Sequence, residues 1–86
     1  MMMDVCVVSM ISQALSDPTR LRLLARVNGQ LGITELAQAV DVTPSTAGYH
    51  VERLRVAGLL HVRREGRRHV PVRIAHAWSV LAGVLG

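Results

Sequence analysis

Two polar-then-proline pairs, Asp17-Pro18 and Thr43-Pro44, most constrain what this chain can fold into. A short polar side chain accepts hydrogen bonds from the free amides at a helix start. Proline suits the first helical position, where its missing N–H would have had no partner. Each pair therefore predicts a helix start. After Pro18, Leu21, Leu24 and Ala25 recur at helical spacing, and Gly29 fits a stop. After Pro44 a helix is expected to run to about Ala57, with Gly58 as its C-terminal stop. Between them, Thr34 is expected to cap a short helix from Glu35 to about Val40, followed by a turn at Asp41-Val42.

A short helix meeting a longer one across a few residues is helix-turn-helix geometry, though an ordinary helical hairpin would read the same way. The segment after the longer helix discriminates between them. Residues 59–74 read LLHVRREGRRHVPVRI, with partial alternation and Glu65-Gly66 at the centre. That pattern predicts a two-stranded hairpin. Pro71 cannot donate to a ladder and is expected to face outward on an edge. Arg63, Arg64, Arg67 and Arg68 flank the tip, so the hairpin reads as a cationic wing.

Charge is distributed to match. Every cation is arginine. Residues 1–43 hold three against four carboxylates, and residues 44–86 hold seven against two, a net −1 and +5. A basic half of this kind suits a polyanionic partner, against the plainer reading of a solvated basic surface. On the wheel of the long helix, Ala47, Val51 and Leu54 form the buried stripe. Ser45, Thr46, Tyr49 and Arg53 project outward, and His50 lies on the boundary. Hydroxyl and guanidinium groups can bond base edges in a major groove, and Gly48 lets a partner backbone approach. Thr43 is a cap first and a DNA contact second.

With 86 residues the chain is one domain, near the lower limit for a self-sufficient core. The flanking segments, 1–15 and 75–86, are apolar nearly all round, and little other surface is available to cover them. The economical expectation is a homodimer in which terminal helices pack across a two-fold axis, with Val5, Val8, Trp78, Leu81 and Leu85 in the interface. The apolar start lacks a basic leader and is too short to span a bilayer. A soluble cytoplasmic protein with no membrane role is expected. Cys6 is the single thiol, so an internal disulfide is impossible. It reads either as a small buried hydrophobe or as a redox group bridging two subunits. The expected fold is mainly α with a small β-hairpin: a winged helix-turn-helix over residues 1–86, with the helix-turn-helix at 34–57 and the wing at 59–74.

The stretch ALSDPTRLRLLARV, residues 14–27, resembles the opening of the ArsR/SmtB repressor family. Residues 33–70, ITELAQAVDVTPSTAGYHVERLRVAGLLHVRREGRRHV, resemble its helix-turn-helix and wing. The resemblance covers about residues 10–75 and implies a homodimeric repressor that releases operator DNA when a metal ion or other signal binds. By position it places Ser45, Thr46, Gly48, Tyr49 and His50 where the family's recognition helix contacts DNA. Two departures stand out: Gly48-Tyr49-His50 where the family often has Ser-His-His, and proline at 71 where aromatics are common. Metal-sensing members commonly carry two cysteines in the first helix of the helix-turn-helix, or Asp and His pairs in the last helix. Residues 35–43 hold no thiol, and the last segment holds only His76. Zinc needs three or four ligands, so no metal and no cofactor are expected. No nucleophile–base pair, carboxylate pair or phosphate-binding glycine loop is visible, so the chain does not read as an enzyme. The expected function is sequence-specific binding of double-stranded DNA as a transcriptional repressor, a two-fold dimer matching a palindromic operator. The alternative is a winged-helix protein-interaction module without DNA binding.

Overall fold

The computed structural model describes residues 16–77 and Ser79. The order is α1 (Pro18–Arg26), α2 (Ile33–Ala39), α3 (Pro44–Val56), β1 (Leu60–Glu65) and β2 (Arg68–Arg73). The expected dimer residues Val5, Val8, Trp78, Leu81 and Leu85, and Cys6, lie outside the described residues. Residues 75–77 and Ser79 are helical, and Ala77 packs against the core.

Both polar-proline pairs start helices as read. The Asp17 carboxylate accepts from the Arg20 amide at 3.1 Å, and the Thr43 hydroxyl accepts from the Thr46 amide at 3.1 Å. That amide bond is the main cause holding the Asp17 carboxyl below its ordinary range. α1 stops at Arg26, short of Gly29, where Val27 turns extended. The Arg73 guanidinium reaches from β2 to the Leu24 carbonyl at 2.9 Å, a second donor beside the Val27 amide at 3.2 Å, and so ties the wing to that helix end.

The second helix begins earlier than the sequence suggested. Its cap is Gly32, not Thr34, and Ile33 is its first residue. The reason is Glu35, which sits at the third helical position and accepts from the Gly32 amide at 3.2 Å. The site is also tight. A Cβ on Gly32 would meet Glu35 Oε1 at 3.2 Å and the His69 carbonyl at 3.5 Å. Asn28 folds the preceding loop, accepting from the amides of Gln30 and Leu31 at 2.9 and 3.1 Å.

The hairpin pairs Leu60 with Arg73 through to Glu65 with Arg68, antiparallel. Its two turn residues are Gly66 and Arg67, one position beyond the expected centre. Gly66 takes φ +59° while Arg67 keeps a negative φ, as a glycine-led type II′ turn requires. The Ile74 amide bonds the Leu59 carbonyl at 3.1 Å. Alternation from that pair makes Val62–Pro71 a non-hydrogen-bonded pair. The nitrogen of Pro71 therefore faces the open edge and costs no ladder bond, as expected of an edge proline. Its ring does not face outward: it is fully buried, a correction to the sequence reading. The pleat sends the ring perpendicular to the edge, into the interior. Val70, on the opposite face, is buried too, so the hairpin base is covered on both sides.

The core joins Leu23, Leu24 and Val27 of α1 and its end, Leu36, Ala37 and Val40 of α2, Ala47, Val51 and Leu54 of α3, and Leu59 and Leu60 at the root of β1. Burying each of the larger side chains contributes roughly 1.5–3 kcal/mol. This aliphatic centre fixes α3 against α1 and α2 and leaves its far side to solvent.

Candidate nucleic-acid interface

On α3 the buried stripe is Ala47, His50, Val51 and Leu54. Thr43, Ser45, Thr46, Tyr49 and Arg53 are exposed, Tyr49 at 58%. The start of the helix thus presents three hydroxyl side chains, a phenol and a guanidinium on one side. The Thr43 hydroxyl donates to Thr46 Oγ1 at 2.9 Å while its lone pair caps the Thr46 amide. Thr43 is therefore committed to the helix start. Thr46 keeps its own hydroxyl proton for an outside acceptor. Gly48 is half-buried, and a Cβ there would meet nothing within 4 Å, so the chain itself does not demand glycine at that position.

His50 departs from the reading as a DNA contact. It is 7% exposed and accepts, at Nδ1, from Arg20 Nε at 3.1 Å. Its position three residues after Ala47 and four before Leu54 places it in the stripe rather than on the rim. The Tyr49 ring meets its edge at 5.4 Å between centroids. His50 holds the helix to α1, and Tyr49 faces out.

The four wing arginines divide into two pairs. Arg68 Nη2 bonds Glu35 Oε1 at 2.6 Å and the Gln30 carbonyl at 2.7 Å, and Nη1 lies 3.5 Å from Glu65 Oε2. Arg63 Nε donates to Glu65 Oε1 at 3.0 Å, with Nη2 2.8 Å from the same oxygen, and Nη2 donates to the Gly29 carbonyl at 2.8 Å. Arg64 and Arg67 have no ion pair or hydrogen bond among the described residues. The Arg68 guanidinium, aided by the Gly32 amide, holds the Glu35 carboxyl below its ordinary range. A cleft of about 430 Å³ opens between the wing tip and α3, lined among others by Thr34, Pro44, Gly48, Arg67 and Arg68. On the outer flank of α3, Glu52 is taken up by Arg55 at 2.6 Å, which lowers the Glu52 pKa and neutralises its charge locally. Arg53, without such a partner among the described residues, keeps its charge for the exposed face.

The sequence reading missed Arg20 and Glu35. The Arg20 signal is its place at the third position after a capped start, facing the stripe of another helix. The Glu35 signal was visible but depended on starting α2 at Gly32. No group of three or more His, Cys, Asp or Glu side chains able to hold a metal occurs among the described residues. Nor is any helix among them long and apolar enough to cross a membrane.

A capped helix pair with a tight turn, a longer outward-facing helix and a cationic hairpin directly after it define a winged helix-turn-helix. Residues 15–63 match the model of a helix-turn-helix domain family. The chain is 40% identical over 77 residues to the transcriptional regulator CmtR of Mycobacterium tuberculosis, covering 88% of this chain and 63% of that protein. It thus spans just under two thirds of CmtR's length. It is 34% identical over 79 residues to the uncharacterized transcriptional regulator YceK of Bacillus subtilis, covering 87% of this chain and 79% of that one. The fold matches a homodimeric winged helix-turn-helix DNA-binding domain from Mycobacterium bovis, a possible ArsR-family regulator. The TM-score there is 0.78 at 24% identity, over 94% of this chain and 80% of that one. The chain belongs to the ArsR/SmtB family of winged helix-turn-helix proteins.

Proposed function

We propose that the chain binds double-stranded DNA and represses transcription, as a homodimer on a palindromic operator in the cytoplasm. The observation that carries this reading is that α3 and the cationic wing tip wall one cleft beside α3's exposed polar face. Ser45, Thr46, Tyr49 and Arg53 project from the exposed side, and the adjoining cleft is walled by Gly48 on one side and Arg67 on the other. A helix start in the major groove, with cations on the flanking backbone, uses those groups for base edges and phosphates respectively. The names of the similar proteins support a regulator. The apolar segments at 1–15 and 75–86, with Val5, Val8, Trp78, Leu81 and Leu85, support pairing of two chains, as in the homodimeric M. bovis domain.

The test is selection of bound duplexes from a random pool, followed by salt titration of the best sequence. The expected result is a shared two-fold sequence, with log K falling by about 0.9 for each phosphate neutralised per log unit of salt. Thr46→Ala or Tyr49→Ala should then lower the preference for that sequence by about 1–3 kcal/mol per lost base contact. No affinity for any duplex at low salt would overturn the reading and leave the interaction-module alternative. Trp78→Asp tests pairing by light scattering: a well-behaved dimer after that change removes Trp78 from the interface.

A further inference from the structure

The wing carries four arginines, but its charges do not act alike. β-strand alternation and the Glu65–Arg68 pairing put Arg63, Glu65 and Arg68 on one face of the hairpin, and Arg64 on the other. On the first face, two guanidinium groups meet two carboxylates, Glu65 and, from α2, Glu35. That cluster is electrically neutral. Its remaining bonds run to backbone carbonyls at Gly29 and Gln30, in the loop that leads into α2. The same loop closes on the wing at Gly32, where a Cβ would lie 3.5 Å from the His69 carbonyl and 3.6 Å from Arg68 Nε. The hairpin is therefore strapped to the helix-turn-helix at two successive carbonyls and one carboxylate, and Arg68 also lines the cleft beside α3.

We infer that Arg63 and Arg68 are positioning residues that set the wing's distance from α3, and that direct phosphate contact by the wing is confined to Arg64 and Arg67. The second half rests on the DNA-binding function proposed for the chain; the first does not. Glu35 then acts as an internal stand-in for phosphate. One of its carboxylate oxygens holds Arg68 Nη2 at 2.6 Å and so keeps that cation from adding to the DNA charge contact.

Two measurements test this. Without DNA, amide hydrogen exchange is followed in Arg68→Ala, Glu35→Gln and Arg64→Ala. The strap predicts faster exchange at residues 29–32 and in the hairpin for the first two, with α3 unchanged, and no difference for Arg64→Ala. Unchanged exchange in Arg68→Ala overturns the positioning role, whether or not the protein binds DNA. With DNA, the salt slope is compared. Arg64→Ala and Arg67→Ala should each reduce its magnitude by about 0.9. Arg68→Ala should leave the slope as it was while weakening the selected sequence about tenfold. Arg68→Lys should recover only part of the loss, because an ammonium can hold Glu35 and the Gln30 carbonyl as Nη2 does but cannot also place a second donor toward Glu65 as Nη1 does. Glu35→Gln should steepen the slope by about 0.9, since it releases Arg68 to a phosphate, a change that a purely structural role for Glu35 would not produce. If Arg68→Ala flattens the slope as much as Arg64→Ala does, the division of the arginines is wrong. If no duplex binds the unaltered protein, the functional reading fails while the exchange data still decide the strap.

Discussion

Arg20 Nε donates to His50 Nδ1 across 3.1 Å, joining the first turn of α1 to the middle of α3 with both residues 7% exposed. The bond requires an unprotonated Nδ1 on the imidazole. It orients α3 from behind, while the neighbouring Tyr49, its ring centroid 5.4 Å from that of His50, stands in solvent. Adjacent residues thus have opposite duties. His50→Ala should lower stability by about 1–3 kcal/mol, since it deprives a buried guanidinium of one acceptor and opens a void. Tyr49→Ala should change stability by less than about 0.5 kcal/mol. Urea unfolding midpoints check both, and equal losses in the two variants would refute the division.

Gly48 separates folding from binding. A Cβ there meets no atom of the chain within 4 Å, and the residue lies inside α3. Gly48→Ala should therefore stabilise the fold by about 1 kcal/mol through helix propensity alone, raising the melting temperature. The new methyl lies beside the cleft that the wing shares with α3. Duplex affinity should fall in the same variant if a DNA backbone approaches that closely. A rise in stability together with unchanged affinity would place the DNA farther from α3 than proposed.

Helix existence and the hairpin were legible because each has a local cause. Asp17, Thr43, Gly58 and Gly66 satisfy or release backbone groups within a few residues, and the sequence shows them directly. The stripe of Ala47, Val51 and Leu54 was legible for the same reason, periodicity. What escaped was decided across the chain. His50 sits at an angle where either face is open to it, and the partner that turns it inward is Arg20, thirty residues away. The pairing of Arg68 with Glu35 spans thirty-three residues and depends on the wing folding back over the loop before α2. Pro71 was placed correctly along the edge and wrongly in depth, because edge position concerns its nitrogen and burial concerns its ring.

Acid should weaken the wing strap. The bond to Arg68 first, and the Gly32 amide second, hold the Glu35 pKa below the ordinary glutamate value of 4.5. The folded state then binds fewer protons than the unfolded chain, so the contribution is complete above that value and is lost as pH falls through the lowered one. Asp17 and Glu52 are shifted in the same direction and add to the trend. Melting temperature should decline below about pH 5, and the decline should be shallower in Glu35→Gln. An identical pH profile in that variant would show that Glu35 gains nothing from Arg68 in solution.

α2 and α3 end with the same backbone device but different residues. The Leu59 amide bonds the Leu54 carbonyl and the Gly58 amide bonds the Arg55 carbonyl, each at 3.0 Å. The Val42 and Asp41 amides repeat the pattern onto Ala37 and Gln38, at 3.0 and 3.3 Å. This closure needs one residue in the left-handed region. Gly58 occupies it at φ +81°, and Asp41 occupies it at φ +58°. A Cβ makes that conformation costly by roughly 1–2 kcal/mol, less for aspartate, whose short polar side chain tolerates it. Gly58→Ala should destabilise by about 1 kcal/mol and disturb the exit from α3 into the wing. Asp41→Gly should stabilise by a fraction of that, even though it removes a side chain, because it relieves strain in the turn that sets α3 against α2. Thermal unfolding of the two variants should move in opposite directions. A loss of stability in Asp41→Gly would mean that the aspartate supports the turn by more than its backbone shape.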